Sequence, residues 1–330
     1  MAKLAMSRAI REAYAEELTR NPRLIIYGQD AQISLFGDTR GLVDQFGPQR
    51  IRNAPISEAS MTGMAVGAAM AGNPVICHLL YGNFIYTGFD AIANQAAKMR
   101  LMTGGQANLP VTFVAVMGGG SSNAAQHSDT PYPVLMNLGG INVAVPATAA
   151  DAKGLMKTAL RGQDPTVFLI PRSRSGSTSD IPDGDHLVPF GRATVHREGG
   201  DVTIVAIGSC VAHALAAATT LERHGIQAEV VDPRTLVPLD EASILASVVK
   251  TGHLVVVDEA RDRCSAASHI AAVVADRAFS ALKAPIRRVT VPNVSIPFAP
   301  VLEKAVVPNP DRVVVAALDV LGRQPSGAAA

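Results

Sequence analysis

Residues 57–80, SEASMTGMAVGAAMAGNPVICHLL, decide the fold of this chain, because a helix pattern leads directly into a strand pattern. The stretch 57–71 predicts a helix in which Gly63 and Gly67, four residues apart, allow another backbone to approach closely. Pro74–Leu80 is a short apolar run, which predicts a strand buried on both faces. A helix followed by such a strand is the repeating unit of a parallel sheet covered by helices.

The same alternation continues along the rest of the chain. In the first half, strands are predicted at Leu24–Tyr27, Val111–Met117, Asn142–Val145 and Thr166–Ile170, and helices at Leu4–Thr19, Leu42–Phe46, Asp90–Met102 and Ala149–Arg161. In the second half, strands are predicted at Val202–Ile207, Ala228–Val231, Leu254–Val257 and Arg288–Val291, and helices at Cys210–His224, Asp240–Val249, Ser265–Ala281 and Pro310–Leu321. The pattern predicts an α/β fold with mainly parallel sheets flanked by helices.

A change of composition separates the two halves. Residues 171–186, PRSRSGSTSDIPDGDH, are rich in Ser, Pro, Asp and Gly, which is typical of a linker. We therefore predict a first domain over residues 1–172, a linker over 173–187 and a second domain over 188–330. The short alanine tail is expected to be disordered.

The bulk composition excludes several classes of partner. The 330 residues are 48% hydrophobic, carry a formal net charge of +1 and contain no block of Lys and Arg, so neither nucleic acid nor a membrane is expected as a partner. The three cysteines lack metal-binding spacing and are expected to be reduced thiols. The first residues lack the apolar core of a signal peptide, and no apolar run is long enough to span a bilayer. We expect a cytoplasmic location.

Two side chains are candidates for chemistry, and each has a structural alternative. Glu58 follows Ser57, a residue that favours helix N-caps, so its carboxylate either interacts with the helix dipole or binds a ligand nitrogen. His127 follows a Gly/Ser-rich stretch after the strand Val111–Met117, at the edge where parallel sheets bind ligands. Its imidazole either shuttles protons or is solvated in a loop. Asp129 is close enough in sequence to pair with it, or it belongs only to a turn.

An aromatic side chain follows the strand that ends at Leu80. In the turn Tyr81-Gly82-Asn83-Phe84, the ring of Phe84 either stacks on a flat heterocycle or packs in the core. The glycine-rich segment 118–120 is not a GxGxxG fingerprint, and the chain has no Walker sequence. Known nucleotide-binding motifs therefore do not explain these residues.

These motifs also occur in the order of a known family. GQD, TRGL, PISEA, NQAAK, AAQHSD and DAKGL are followed by TIVAIGSCVAHALAAATTLERHGIQAEVVDPRTLVPLD and KTGHLVVVDE. The sequence closely resembles the beta subunits of thiamine-diphosphate-dependent 2-oxoacid dehydrogenases of the pyruvate, branched-chain and acetoin types, in the transketolase-like superfamily. The resemblance covers residues 4–322.

The resemblance implies roles for four residues. Glu58 matches the glutamate that bonds N1′ of the coenzyme's aminopyrimidine and promotes the tautomer that deprotonates the thiazolium carbon. Phe84 matches the aromatic residue that packs on the pyrimidine, and Tyr81 in the same turn is taken as a further coenzyme contact. His127 matches the histidine associated with proton transfer or orientation while lipoate is acylated.

The resemblance also implies cofactors and partners beyond this chain. Ala159, Gly162 and Asp164 match a loop that binds a monovalent cation such as K⁺ in some relatives. The diphosphate and Mg²⁺ are expected on an alpha subunit with a GDG…N motif, which this chain lacks. The implied assembly is therefore α2β2, with a lipoyl-bearing acyltransferase core as a further partner.

The implied activity is decarboxylation of a small 2-oxoacid, or cleavage of acetoin, with transfer of the acyl group to a lipoyl domain. The chain departs from the family at several positions. Gln29 replaces an acid that, with Asp90, belongs to a proposed proton route in relatives, and His78 replaces a glutamate. Pro171-Arg172-Ser173-Arg174 replaces an ELMYG-like segment. Two alternatives stay open: a transketolase-like or acyloin-forming subunit that acts without lipoate, and a catalytically silent scaffold.

Overall fold

The computed structural model describes residues 2–323; Met1 and residues 324–330, with the alanine tail predicted to be disordered, lie outside the described residues. The strands are β1 Ala2–Ala5, β2 Ile25–Gly28, β3 Ile51–Asn53, β4 Val75–Tyr81, β5 Val111–Met117, β6 Asn142–Ala144, β7 Thr166–Pro171, β8 Thr178–Ile181, β9 Thr194–Arg197, β10 Val202–Ala206, β11 Ala228–Asp232, β12 Thr235–Val237, β13 Leu254–Arg261 and β14 Arg287–Val291.

The α-helices are α1 Met6–Arg20, α2 Leu42–Phe46, α3 Glu58–Met70, α4 Ala97–Met102, α5 Tyr132–Met136, α6 Ala149–Arg161, α7 Cys210–Arg223, α8 Glu241–Thr251, α9 Ala266–Arg277, α10 Pro300–Val306 and α11 Pro310–Val320. Short 3₁₀ helices span Gly82–Tyr86, Ala125–His127, Arg172–Arg174 and Phe279–Ala281, and a π-helix spans Ala91–Ala96.

The first sheet has seven strands in the order β12-β6-β7-β5-β4-β2-β3 and is parallel except where β12 joins β6. The register brings the carboxyl ends of β2, β4, β5 and β7 to one edge of the sheet, where Gly28 pairs with His78 and Met117 pairs with Pro171. Ligands of parallel sheets bind at this edge, so it positions the candidate site.

The second sheet has five strands in the order β14-β13-β10-β11-β9, with only β9 antiparallel to its neighbour. The two halves of the chain are interlocked, because β12 lies beyond the second sheet's strand β11 in sequence but extends the first sheet. One apolar cluster also continues from the first sheet into the second, as Phe113 and Val256 belong to it. Burial of such side chains is the main favourable contribution to folding.

The expected architecture, two mainly parallel sheets flanked by helices, is confirmed. The segment Asp90–Met102 is helical, but its first turns form the π-helix. Within the predicted linker, β8 pairs antiparallel with β1, a strand that the helical pattern at the start of the chain did not indicate. The domain limits at residues 172 and 188 stay predictions. None of the helices in residues 2–323 has the length and apolar character needed to cross a bilayer.

Candidate functional site

Glu58 is the first residue of α3, and its carboxylate is buried with the side chain of Gln29. Gln29 Nε2 donates a hydrogen bond to Glu58 Oε1 over 2.7 Å, and the two residues are 4% and 7% exposed. Ser57 does not cap the helix as expected from its type; its hydroxyl donates to Ser60 Oγ instead. The carboxylate is therefore held by Gln29, while no residue in the described part of the chain donates a hydrogen bond to Oε2.

The position of Gln29 follows from tight packing at the end of β2. A side chain on Gly28 would place its Cβ 2.4 Å from the carbonyl oxygen of His78 on the neighbouring strand, so only glycine fits. His78 is buried, and its Nε2 lies 2.7 Å from Asp38 Oδ2. The buried pair anchors the loop that follows Gln29 to β4.

An aromatic cluster lies at the carboxyl end of β4, and it contains three of the residues expected from the sequence or the resemblance. The ring of Tyr81 makes edge contacts with His127 at 4.4 Å and with Phe84 at 5.7 Å between centroids. His127 also contacts Phe84 at 5.6 Å, and Phe36 contacts Tyr81 at 5.3 Å. Phe36 was not among the predicted residues. The structure thus brings His127, Phe84 and Tyr81 together.

Hydrogen bonds join this cluster to the helix that carries Glu58. Thr62 Oγ1 on the first turns of α3 donates to the carbonyl oxygens of Glu58 and Gly88, at 2.8 and 3.1 Å. Gly88 follows the 3₁₀ helix that carries Phe84. The start of α3, which carries Glu58, and the segment that follows the turn of Phe84 are therefore held together at the carboxyl edge of the first sheet.

Asp129 does not pair with His127, which corrects the expectation from their spacing. Its Oδ1 accepts a hydrogen bond from Arg261 at 2.5 Å, and Asn83 Nδ2 donates to its Oδ2 at 3.3 Å. The backbone N–H of Asp129 donates to Asn83 Oδ1. Arg261 is distant from Asp129 in the sequence, so the spacing of neighbouring residues could not indicate it as the partner of Asp129. Asp129 fixes the loop of His127 against the turn of Phe84 and against the second domain.

Two buried carboxylates of the second domain hold the glycine loop, residues 118–122, which leads from β5 toward His127. Glu259 Oε1 accepts from the Gly119 N–H at 2.8 Å, and its Oε2 accepts from Ser209 at 2.6 Å. Glu303 Oε1 accepts from the Gly120 N–H at 2.8 Å, and its Oε2 accepts from the Ser122 N–H at 2.9 Å. The loop that precedes His127 is thus fixed across the domain boundary.

Glu259 has an unusual protonation behaviour in this setting. Burial raises its pKa to about 7, against the lowering effect of its hydrogen bonds from Ser209 and Gly119. The neighbouring acids Asp258 and Glu303 raise the pKa further by charge repulsion. Sequence reasoning missed both loop-holding glutamates. The signal that could have found Glu259 is the pair of acids Asp258 and Glu259, which continues the apolar run Leu254–Val257 within β13.

The residues predicted to bind a monovalent cation already have protein partners. The Ala159 carbonyl accepts from the Gly162 N–H at 3.1 Å, and Asp164 Oδ1 lies 2.7 Å from Arg100. In the described residues, the one group of three acidic or histidine side chains with metal-like spacing lies elsewhere and comprises Asp151, His196 and Asp232. The guanidinium of Arg234 lies 2.9 Å from Asp151 in that group and supplies a cation.

Comparison with known proteins agrees with this geometry. Residues 2–177 match the model of the transketolase pyrimidine-binding domain, and residues 191–313 match that of the transketolase C-terminal domain. The chain is 40% identical to the beta subunit of acetoin:2,6-dichlorophenolindophenol oxidoreductase of Bacillus subtilis (strain 168), over 97% of both chains. The chain belongs to the beta-subunit family of 2-oxoacid and acetoin dehydrogenases.

Other members of the beta-subunit family show the same extent of similarity. The pyruvate dehydrogenase E1 component subunit beta of Rickettsia felis is 39% identical over 95% of this chain and 97% of its own length. The 2-oxoisovalerate dehydrogenase subunit beta of Bacillus subtilis is 36% identical over 92% and 94%. Among solved structures, a split-gene transketolase described as an inactive beta4 tetramer has a TM-score of 0.80 at 28% identity, with 98% and 99% coverage. The beta-subunit family uses thiamine diphosphate.

Proposed function

We propose that this chain is the beta subunit of a heteromeric enzyme that decarboxylates a 2-oxoacid or cleaves acetoin and transfers the acyl group to a lipoyl domain. The observation that carries the proposal is the buried Glu58 carboxylate with one oxygen held by Gln29 and the other without a donor, beside the aromatic cluster of Tyr81, Phe84 and His127. Similarity over nearly the whole chain to beta subunits with these activities supports it.

The residues fit thiamine diphosphate. The carboxylate of the buried Glu58 has one oxygen without a protein donor, which suits a protonated ring nitrogen, and the half-buried aromatic rings suit a flat pyrimidine. When bound, thiamine diphosphate supplies a nucleophilic carbon that adds to a carbonyl group. In this proposal Glu58 holds the proton at the pyrimidine nitrogen N1′, and Gln29 orients the carboxylate. Phe84 and Tyr81 contact the ring and exclude water from it.

His127 is proposed to act at the acceptor side of the same site. Its imidazole is half-buried and contacts both rings, while its backbone follows the glycine loop. A histidine titrates near neutral pH, so it suits the transfer of a proton to a sulfur or oxygen of an acceptor. The hydrogen bonds that the glycine loop donates to Glu259 and Glu303 fix the position of the loop that leads to His127.

An alpha subunit with a GDG…N motif is proposed to hold the diphosphate and Mg²⁺, in an α2β2 assembly. The outer face of α3 supports a partner there, because Met64 and Met70 are 60% and 47% exposed and no atom of residues 2–323 lies within 4 Å of a Cβ built on Gly63 or Gly67. Binding of K⁺ at Ala159, Gly162 and Asp164 requires Asp164 to exchange its Arg100 partner for the ion.

Reconstitution tests the proposed function. The chain is mixed with a candidate alpha subunit, thiamine diphosphate and Mg²⁺, and dye reduction is measured with pyruvate, branched-chain 2-oxoacids and acetoin in turn. We expect turnover that depends on both chains, and acylation of an added lipoyl domain. Absence of turnover with every donor, from a correctly assembled complex, would contradict the proposal.

A transketolase-like or acyloin-forming activity without lipoate is the second candidate. The similarity of the whole chain to a split-gene transketolase favours it. The two functions differ in one measurement, because the second requires an aldehyde or ketone acceptor in place of the lipoyl domain. Product formation from an aldehyde acceptor, with no acylation of a lipoyl domain, would identify this second activity.

A further inference from the structure

Two arginines follow β7 at the same edge of the sheet as the candidate site. Arg172 and Arg174 lie in the 3₁₀ helix Arg172–Arg174, and the Cβ of Ser173 between them faces Gly120 of the glycine loop. The guanidinium carbon of Arg172 lies 5.4 Å from the ring centroid of Phe36, the outer member of the aromatic cluster. Arg172 is therefore part of the wall around the site, and Arg174 follows it in the same 3₁₀ helix, close enough to His213 to affect its pKa.

Neither guanidinium has a counter-ion among residues 2–323. No described acceptor receives a hydrogen bond from either side chain, and both Nε atoms are buried. The hydroxyl of the following Ser175, a residue that is 7% exposed, is also buried without a partner. By contrast, Arg161 elsewhere in the first domain pairs with both Glu17 and Asp185. Buried donors without acceptors are costly and are rarely retained without a ligand or function.

The surroundings of the pair are electropositive. Burial lowers the pKa of Arg174, and burial together with the charge of Arg174 lowers the pKa of His213 on α7. No carboxylate in the described residues lies within ion-pair distance of Arg172 or Arg174. Three acids at the same edge of the sheet, Asp38, Asp129 and Glu259, have His78, Arg261 and the glycine loop as their own partners.

The arginine pair lies at the opposite end of the site from the carboxylate. In the sheet order β7-β5-β4-β2, Arg172 and Arg174 follow β7, while Gln29 and its partner Glu58 lie at the end of β2. Three strand spacings of about 4.8 Å separate these ends by roughly 14 Å. The backbone that carries the arginines is therefore three strands away from the strand end that holds Gln29.

We propose that Arg172 and Arg174 form an anion-recognition site for a carboxylate or phosphate group that the substrate carries in addition to its reacting group. The planar guanidinium group matches both anions with paired hydrogen bonds. This inference rests on the proposed function, which identifies the group that reacts. It predicts that either the donor substrate carries a second anionic group or the substrate that accepts the acyl group is an anion. Arg172 and Arg174 are specificity residues in this account.

Binding by the full chain tests the inference without turnover. Glutarate and inorganic phosphate are titrated by calorimetry into the wild-type chain, the double variant Arg172→Gln/Arg174→Gln and the control Arg287→Gln, whose side chain pairs with Asp319 on the second domain. We expect the double variant to lose at least about tenfold in affinity for one of the two probes, and the control to keep it. Equal affinities in all three proteins would overturn the inference.

The two probes separate the sources of the anion. Stronger binding of glutarate assigns the site to a dicarboxylate, and stronger binding of phosphate assigns it to a phosphorylated substrate. The same titration in the presence of the alpha subunit tests whether the arginines instead bind that subunit. If the alpha subunit abolishes anion binding, the arginines belong to the subunit interface and the inference is wrong. Circular dichroism of the double variant checks that a loss of binding is not a loss of fold.

Turnover by the reconstituted enzyme gives a further readout for a dicarboxylate. The wild type and the double variant are compared with 2-oxoglutarate and with 2-oxopentanoate, which has the same chain length and no second carboxylate. We expect the variant to raise KM for 2-oxoglutarate by about tenfold or more and to leave KM for 2-oxopentanoate unchanged. Inactivity with all donors contradicts the proposed function instead, and the binding experiment then decides on the arginines alone.

Discussion

Gln29 donates its side-chain N–H to Glu58 over 2.7 Å, inside a site where both residues are buried. The amide is a neutral donor, so it fixes one carboxylate oxygen without adding a charge. The family's acid at this position is expected to add a second carboxylate next to Glu58. The chain therefore keeps the buried glutamate of the site but changes the group that holds it.

Replacing Gln29 by glutamate makes the stability of the chain depend on pH. Two carboxylates at this distance cannot both ionise cheaply, so the pKa of one of them rises and the folded state binds an extra proton. The free energy of unfolding of Gln29→Glu should then fall from pH 5 to pH 8 by more than about 1.4 kcal/mol relative to wild type. Denaturant titrations of the variant and the wild type at pH 5 and pH 8 measure this difference in the free energy of unfolding.

Gln29→Met is the matched control for this prediction. It removes the donor without adding a charge, so it should cost about 1–3 kcal/mol and should depend on pH less steeply than Gln29→Glu, which also adds a second carboxylate. If the free energies of unfolding of Gln29→Glu and Gln29→Met are the same at every pH, the side chains at positions 29 and 58 do not interact as described.

His127→Ala should impair acyl transfer more than decarboxylation. The imidazole contacts Tyr81 and Phe84, and in the proposed function it transfers a proton to the acceptor; loss of a general acid or base costs about 10²-fold or more. Release of CO₂ and acylation of a lipoyl domain are measured separately, with the exposed neighbour variant Gln126→Ala as control. Equal losses in both steps would assign the histidine another role.

Glu259 should make the chain less stable as the pH rises toward neutral. Burial raises its pKa from 4.5 to about 7, so between these values the folded state binds more protons than the unfolded state. The free energy of unfolding therefore falls across this window, by up to about 3 kcal/mol. Glu259→Gln should flatten the dependence, and Glu222→Gln, at an exposed position, should not. If the free energy of unfolding of Glu259→Gln falls with pH as steeply as that of the wild type, burial of Glu259 does not cause the pH dependence.

Gly28→Ala should destabilise the chain by about 1–3 kcal/mol, because the new Cβ meets the His78 carbonyl at 2.4 Å. The control is Gly63→Ala, where a Cβ meets no atom of the described part of the chain and helix propensity favours alanine by about 0.5–1 kcal/mol. Thermal unfolding of both variants measures the difference. Similar stability of the two variants would mean that the end of β2 is less tightly packed than the structure indicates.

The sequence was sufficient for elements with a strong local pattern. Apolar runs predicted strands such as β5, which spans Val111–Met117 as expected. The three residues of β12 have no such pattern, and their pairing with β6 depends on the whole fold. The contact between β1 and β8 was missed for the same reason.

For the site, motif resemblance supplied Glu58, Phe84 and His127, whereas their supporting contacts were not readable from the chain. Glu303 lies 183 residues from Gly120, and Arg261 lies 132 residues from Asp129. The short spacing in the sequence therefore indicated His127 as a partner of Asp129, whereas in the structure Asp129 pairs with Arg261 of the second domain. Hydrogen bonds between residues far apart in the sequence can be identified only from the folded structure.

Exchange of the thiazolium C2 proton of thiamine diphosphate with deuterium, followed by NMR in the assembled enzyme, tests the central role of Glu58 most directly. Glu58→Gln keeps the shape of the side chain but removes its charge. We expect the variant to assemble with the alpha subunit and to slow this exchange by about 10²-fold or more. Exchange at the wild-type rate in an assembled, coenzyme-loaded Glu58→Gln enzyme would contradict the account.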